Sequence, residues 1–284
     1  MKPFVRFIRI CSIVALGVAA APFFGCAEVA PPESTQSEAV SKSSEAAHHG
    51  GVERLVSDAL AELKLRPEQQ AEIEKIGSEF KTRHEPVKAA KRELMVALAD
   101  QIDNGEIDRC ALDPQITKVG SAVAKAHPGD RAAFERLHAI LDPDQRAKFV
   151  EALGRRWKML EKVHEPRVMT EAIAKELKLS SDQKTRLEKI FAGLREIKEA
   201  GPTQAARKER WGKVLEAFKG DRFVLDELVP AKDVEAEAAD KIERLLWAGE
   251  AILPVLNVEQ RTQVAKMLRD KGEDGDTGKA PTSD

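Results

Sequence analysis

The 284-residue chain has no tyrosine, aromatic residues make up only 5% of it, and it contains just three cysteines. So little aromatic material argues against a sheet-based core and leaves Leu, Ile, Val and Ala to build the interior. Neither Cys-x-x-Cys nor His-Glu-x-x-His is present, so the usual zinc spacings are missing. No Gly-rich phosphate loop follows a strand pattern, and no nucleophile has a recognisable base. The sequence therefore assigns no catalytic residue, no metal ligand set and no cofactor. Strong positive charge is also lacking: the formal net charge is −2. A net acidic balance argues against a general nucleic-acid binder.

What is present favours helices. Charged residues form 33% of the chain, and Ala, Leu, Glu and Lys, the straight-chain helix formers, dominate. The expected fold class is all-α.

The first 27 residues read as a leader. Lys2, Arg6 and Arg9 form a positive start, and the apolar stretch from Ile10 to Gly25 is too short for a comfortable membrane span. Removing those three cations leaves about −5 for the remainder. The stretch Phe23-Phe24-Gly25-Cys26-Ala27 resembles a lipoprotein signal, in which a small residue precedes a Cys that is lipidated and becomes the new N-terminus. Gly25 and Cys26 fit the pattern; Phe24 departs from it. Cleavage after Ala27 is the alternative, and both routes export the chain. With Cys26 lipidated and Cys11 lost, Cys110 stands alone and is expected as a semi-buried thiol.

Residues 28–50, rich in Pro, Ser, Glu and Ala, cannot offset their ordering entropy and read as a flexible tether. Such a tether averages roughly 26 Å end to end. A disordered tail is expected over 271–284. Between them the sequence repeats: Glu62-Leu63-Lys64-Leu65 aligns with Glu176-Leu177-Lys178-Leu179, and Pro86 with Pro202. Pro114 aligns with Pro230, and Leu141-Asp142-Pro143-Asp144-Gln145-Arg146 with Leu256-Asn257-Val258-Glu259-Gln260-Arg261. The offset stays between 114 and 116, which implies a tandem duplication. The expected units are 51–163 and 164–270, joined near Pro166.

Each unit reads as four helical pieces. Val52, Leu55, Val56, Ala59, Leu60 and Leu63 share a face of the first. A long second helix carries Ile73, Ile76, Phe80, Val87, Leu94, Leu98 and Ile102, is kinked or split at Pro86, and ends at Asn104-Gly105. The third starts after Asp113-Pro114 and is interrupted at His127-Pro128-Gly129-Asp130. The fourth carries Phe149, Leu153 and Trp157. Asp142, Ser180 or Ser181, and Asn257 are the expected N-caps, and the second long helix should end at Gly220.

The recurring unit is Leu, a capping residue, an acid and Gln: Leu65 to Gln69, Leu141 to Gln145, Leu179 to Gln183 and Leu256 to Gln260. Two such boxes in each exported all-helical unit resemble the Spy/CpxP family of periplasmic proteins, whose signature is a twice-occurring Leu-Thr-x-x-Gln box. None of the four has Thr at the second position; Arg66, Asp142, Ser180 and Asn257 stand there. Asp, Ser and Asn can cap as Thr does, whereas Arg66 cannot. The boxes themselves are expected to be helix starts: Leu packs inward, the polar residue caps, and Gln ties down loop backbone.

The resemblance implies a thin curved cradle that holds unfolding proteins without ATP. Two antiparallel helical-hairpin units in one chain would form that cradle internally, as a pseudo-dimer, rather than as a dimer of chains. The implied function is ATP-independent binding of unfolded or misfolded envelope proteins in the periplasm. The chain would be anchored through Cys26, with the outer membrane favoured by Ala27 after the Cys. Candidate client contacts are the basic runs of the long helices, Lys88, Lys91 and Arg92 with Arg207, Lys208 and Arg210, beside a solvated helix face as the plainer alternative. A metal-binding or stress-sensing module is the rival reading: His48-His49, His84, His164 and the Glu135/His138 pair are its candidates, but Leu253 occupies the position matching His138. A structural lipoprotein is the third.

Overall fold

The computed structural model describes residues 51–163, 166–196, 204–229 and 234–274. Cys26 with the expected leader and tether, His48-His49, His164, Pro202, Pro230 and the residues after 274 lie outside that set. Among the described residues there are ten α-helices and no strand. The first half of the chain holds α1 (Gly51–Leu60), α2 (Pro67–Asn104), α3 (Arg109–Ile140) and α4 (Pro143–Val163). The second holds α5 (Pro166–Glu176), α6 (Ser181–Glu196), α7 (Gln204–Lys219), α8 (Leu225–Leu228), α9 (Val234–Ile252) and α10 (Val258–Asp274), with a 3₁₀ turn at Leu253–Val255 before the last.

The long helices α2 and α3 form an antiparallel hairpin. At its turn Gly105 adopts φ +87°, and the N–H groups of Gly105 and Glu106 fold back on the Ile102 and Gln101 carbonyls. This left-handed closure is cheap for glycine because no Cβ meets the backbone. The expected end at Asn104-Gly105 is therefore met. α3 begins at Arg109 rather than after Pro114, because the Asp108 carboxylate accepts the Ala111 N–H at 3.2 Å and starts the helix one and a half turns early.

Both prolines expected to interrupt these helices are carried inside them. α2 is neither split nor ended at Pro86, and α3 runs through Pro128. An internal proline forfeits a backbone hydrogen bond and costs about 3 kcal/mol when nothing offsets it. Here tertiary ties offset it. Arg83 Nε meets Asp130 at 2.9 Å, and His84 Nε2 lies 2.9–3.0 Å from both carboxylate oxygens of the same residue, so the hairpin is bolted at the level of both prolines. Beyond the bolt, Val87, Ala90 and Leu94 of α2 pack on Val119, Val123 and Ala126 of α3.

The second half does not fold beside this hairpin as a separate bundle. α9 lies along α3, burying Ala238, Ile242 and Leu246, and its close approach at Gly120 would put an added Cβ 3.2 Å from Glu235. α10 packs on the C-terminal part of α2 through Ala99, Ile102, Leu253, Ala265 and Leu268. Conversely, α7 packs on α4, where Phe149, Val214 and Phe218 are wholly buried with Leu55, Ala59 and Leu153. The two halves thus interlock: each half's last helix rests on the other's second helical stretch.

α10 runs to Asp274, past the expected tail boundary at 271. Cys110, expected to be semi-buried, is exposed: it occupies the outer side of the first turn of α3, while Leu112 and Ile116 turn inward.

Candidate functional site

The four boxes come together in two pairs, and the pairing is made by the glutamines. Gln69 Nε2 donates to Gln145 Oε1 at 2.8 Å, and Gln183 Nε2 to Gln260 Oε1 at 2.7 Å. Each side-chain carbonyl also accepts the N–H of its own box's second residue, Arg66, Asp142, Ser180 or Asn257, at 2.9 Å in every case. Each amide also reaches the backbone just ahead of the opposite box: Gln69 to the Ile140 carbonyl, Gln145 to Lys64, Gln183 to Val255, and Gln260 to Leu177, over 2.7–3.1 Å. Gln69 and Gln260 are buried, so these bonds satisfy backbone groups that would otherwise be stranded away from water.

One register slip separates the pairs. Gln145 reaches Lys64, but Gln260 reaches Leu177, one residue before the counterpart Lys178, which takes a left-handed φ of 51°. Of the box leucines expected to pack inward, Leu141 and Leu256 are buried and Leu65 and Leu179 are partly buried against the core, and each Gln bonds loop backbone. The capping is divided. Ser180 Oγ and Asn257 Oδ1 accept the N–H of Gln183 and Gln260, at 3.2 and 2.9 Å. The Asp142 carboxylate is instead taken by the Arg66 guanidinium, so the arginine that cannot cap ties box to box.

A second set of contacts crosses between the halves. Arg146, directly after Gln145, donates Nη1 to the carbonyl of Gly220 at the end of α7, and its Nη2 lies 3.4 Å from Asp221. Arg261, directly after Gln260, lies against Gly105 at the end of α2, where an added Cβ would collide with its guanidinium. Gly105 and Gly220 stand at the same 115-residue offset as the two arginines, so the contacts are reciprocal. The sequence shows both arginines and both glycines; their exchange between halves is non-local and appears only in the fold.

Among the described residues, the basic side chains singled out from sequence differ in exposure. Lys88 is exposed and pairs with Glu85 at 2.9 Å. Lys91 is half-buried, and burial pulls its ammonium down to about 8. Arg92 is half-buried, with Nε shielded from solvent and unbonded, and Arg210 is half-buried on α7. Arg207 and Lys208 lie in α7, with side chains outside the described residues.

The histidines are engaged elsewhere. His84 holds Asp130 and stacks on Phe80, with ring centroids 3.9 Å apart. His138 faces Arg146 and the Gly220 carbonyl, while Glu135 accepts the Leu225 N–H at 2.7 Å. Among the described residues no group of three or more His, Cys, Asp or Glu could hold a metal ion, and no helix is long and apolar enough to cross a membrane.

Among the described residues, the paired Leu-to-Gln boxes organise an all-helical body. Residues 52–153 match the model of the LTXXQ motif family protein, a stretch that holds both boxes of the first half and ends within α4. The match does not include the second pair. No curated protein and no solved structure matches the chain.

Proposed function

We propose that this protein binds unfolded or misfolded envelope proteins without ATP, and that its two halves are tandem copies of one module forming a dimer-like body within a single chain. The observation that carries the reading is that the second half, outside the family match, builds a glutamine pair like that of the first, with one backbone partner shifted by a residue. The reciprocal Arg146–Gly220 and Arg261–Gly105 contacts support the dimer-like arrangement. The copies are taken as 51–163 and 164–270, behind a tether that begins at a lipidated Cys26 and keeps the protein at a membrane facing the periplasm.

Binding would be loose, with positive charge drawing in acidic segments at long range and neighbouring apolar side chains holding them. Among the described candidates Lys88 is exposed, whereas Lys91 is half-buried. The test is an aggregation assay, with the purified protein titrated against a chemically unfolded acidic protein in the absence of nucleotide. Suppression near one-to-one, weakened by salt and by Lys88→Glu, is expected. No suppression at several-fold excess overturns the reading.

A further inference from the structure

The two reciprocal Arg–Gly contacts differ in detail: Arg146 donates to the Gly220 carbonyl, Arg261 lies against a left-handed Gly105, and one buried neighbour is exchanged. Beside Arg146 and Gly220 stands His138, 6% exposed, whose Nε2 lies 2.8 Å from the Gly220 carbonyl and 2.8 Å from Arg146 Nη1. Beside Arg261 and Gly105 the corresponding residue, at the same 115-residue offset, is Leu253, also buried. Arg146 is itself only 8% exposed. A neutral imidazole suits this place, since Nε2 can donate to the carbonyl or accept from the guanidinium. A protonated ring cannot accept, and it sets a second cation against Arg146 in a poorly hydrated site.

We propose that protonation of His138 opens the Arg146–Gly220 clasp and releases the α7–α8 stretch from α3 and α4, while the Arg261–Gly105 clasp stays closed. The clasp covers aromatic surface: Phe218 and Phe223 pack around Phe134 and the His138 ring, with centroids 4.8–5.5 Å apart. The charged groups facing His138 are Arg146 from α4 and Asp221 from the α7–α8 loop; Glu135, one turn earlier on α3, is held by the Leu225 N–H. Burial is the largest influence on the ring and favours the neutral form, and Arg146 adds to it; the Gly220 carbonyl and Asp221 act the other way and do not prevail.

The sign follows from linkage. His138 titrates below its ordinary value in the closed state, so the open state takes up the proton first as pH falls. Closure is favoured above about pH 6.5, the value of an unperturbed histidine, and weakens on acidification below it. His127, earlier on α3, is also shifted down by burial and by Arg131. This inference concerns the clasp alone and stands whether or not the protein binds unfolded chains.

The experiment is amide hydrogen exchange on the full chain at neutral and mildly acidic pH, corrected for the intrinsic rate. The wild type is expected to lose protection several-fold over 204–229 at the acidic pH, bounded by about tenfold per pH unit for one linked proton, with little change over 95–106. His138→Gln, which keeps a donor but does not titrate, and His138→Leu, which copies the other clasp, should each remove that difference. Equal loss at both ends, no loss at either, or a full acid response in His138→Gln, as His127 alone would give, overturns the proposal.

Discussion

The two ends at which the halves cross are related by position and unlike in material. Where α4 meets α7, the contact is aromatic, with Phe149 and Phe218 wholly buried and Phe134 and Phe223 packed on them. Where α2 meets α10, it is aliphatic and close, made by Ala99, Ile102, Leu253, Ala265 and Leu268. Polar contacts on the rim of the second end, the Arg269–Asp100 ion pair at 2.7 Å and the Thr262 hydroxyl donated to Asp103, are exposed and contribute little. A shared plan of boxes, arginines and glycines thus tolerates two ways of filling the space between helices. Large rings allow wide spacing; alanines require close approach.

The largest expected effect breaks this comparison directly. Phe218→Ala should cost about 3–5 kcal/mol, because it empties a fully buried site. At the other end the opposite change does the damage: Ala265→Leu should cost about 1–3 kcal/mol by overpacking. Chemical denaturation of the two variants checks both, and equal tolerance of Ala265→Leu would mean that end is loosely packed.

Next in size are the glutamines. Gln69→Ala and Gln183→Ala each strand a backbone N–H, a backbone carbonyl and a partner amide, so each should cost about 1–3 kcal/mol by thermal unfolding. Similar losses would establish that the two pairs are energetically as well as geometrically equivalent. A negligible loss at Gln183 would separate them.

The smallest contrast lies in the glycines. Gly105→Ala forces a left-handed backbone on an L side chain, at about 1–2 kcal/mol, and displaces Arg261. Gly220 has no such φ, and an added Cβ would sit 3.3 Å from the Ala217 carbonyl, so Gly220→Ala should stay within about 0.5 kcal/mol. Midpoints of urea unfolding resolve the pair.

Much of this was legible before the structure because it is local. The apolar stripe of α2, the stop at Asn104-Gly105, the caps at Ser180 and Asn257 and the inward Leu of the boxes all follow from spacing within a few residues. The misreadings are the places where a distant residue decides. Pro86 and Pro128 are breakers by themselves, and they fail to break because Arg83 and His84 grip Asp130 across the hairpin. Lys91 looks like Lys88 three residues earlier, yet about 60° around the helix it is half-buried. The box glutamines announced themselves, but not that they would find each other across some seventy residues of chain.

The interlocking of the halves has a further consequence. Two bodies held by peptide linkage meet at an effective concentration set by their connection rather than by how much protein the cell makes. A dimer-like body of the kind proposed would not fall apart on dilution. It is also freed from the rule that binds a symmetric pair of identical chains, in which every substitution appears twice. One clasp can acquire a histidine while its twin keeps a leucine, and a symmetric scaffold becomes a molecule with two distinguishable ends.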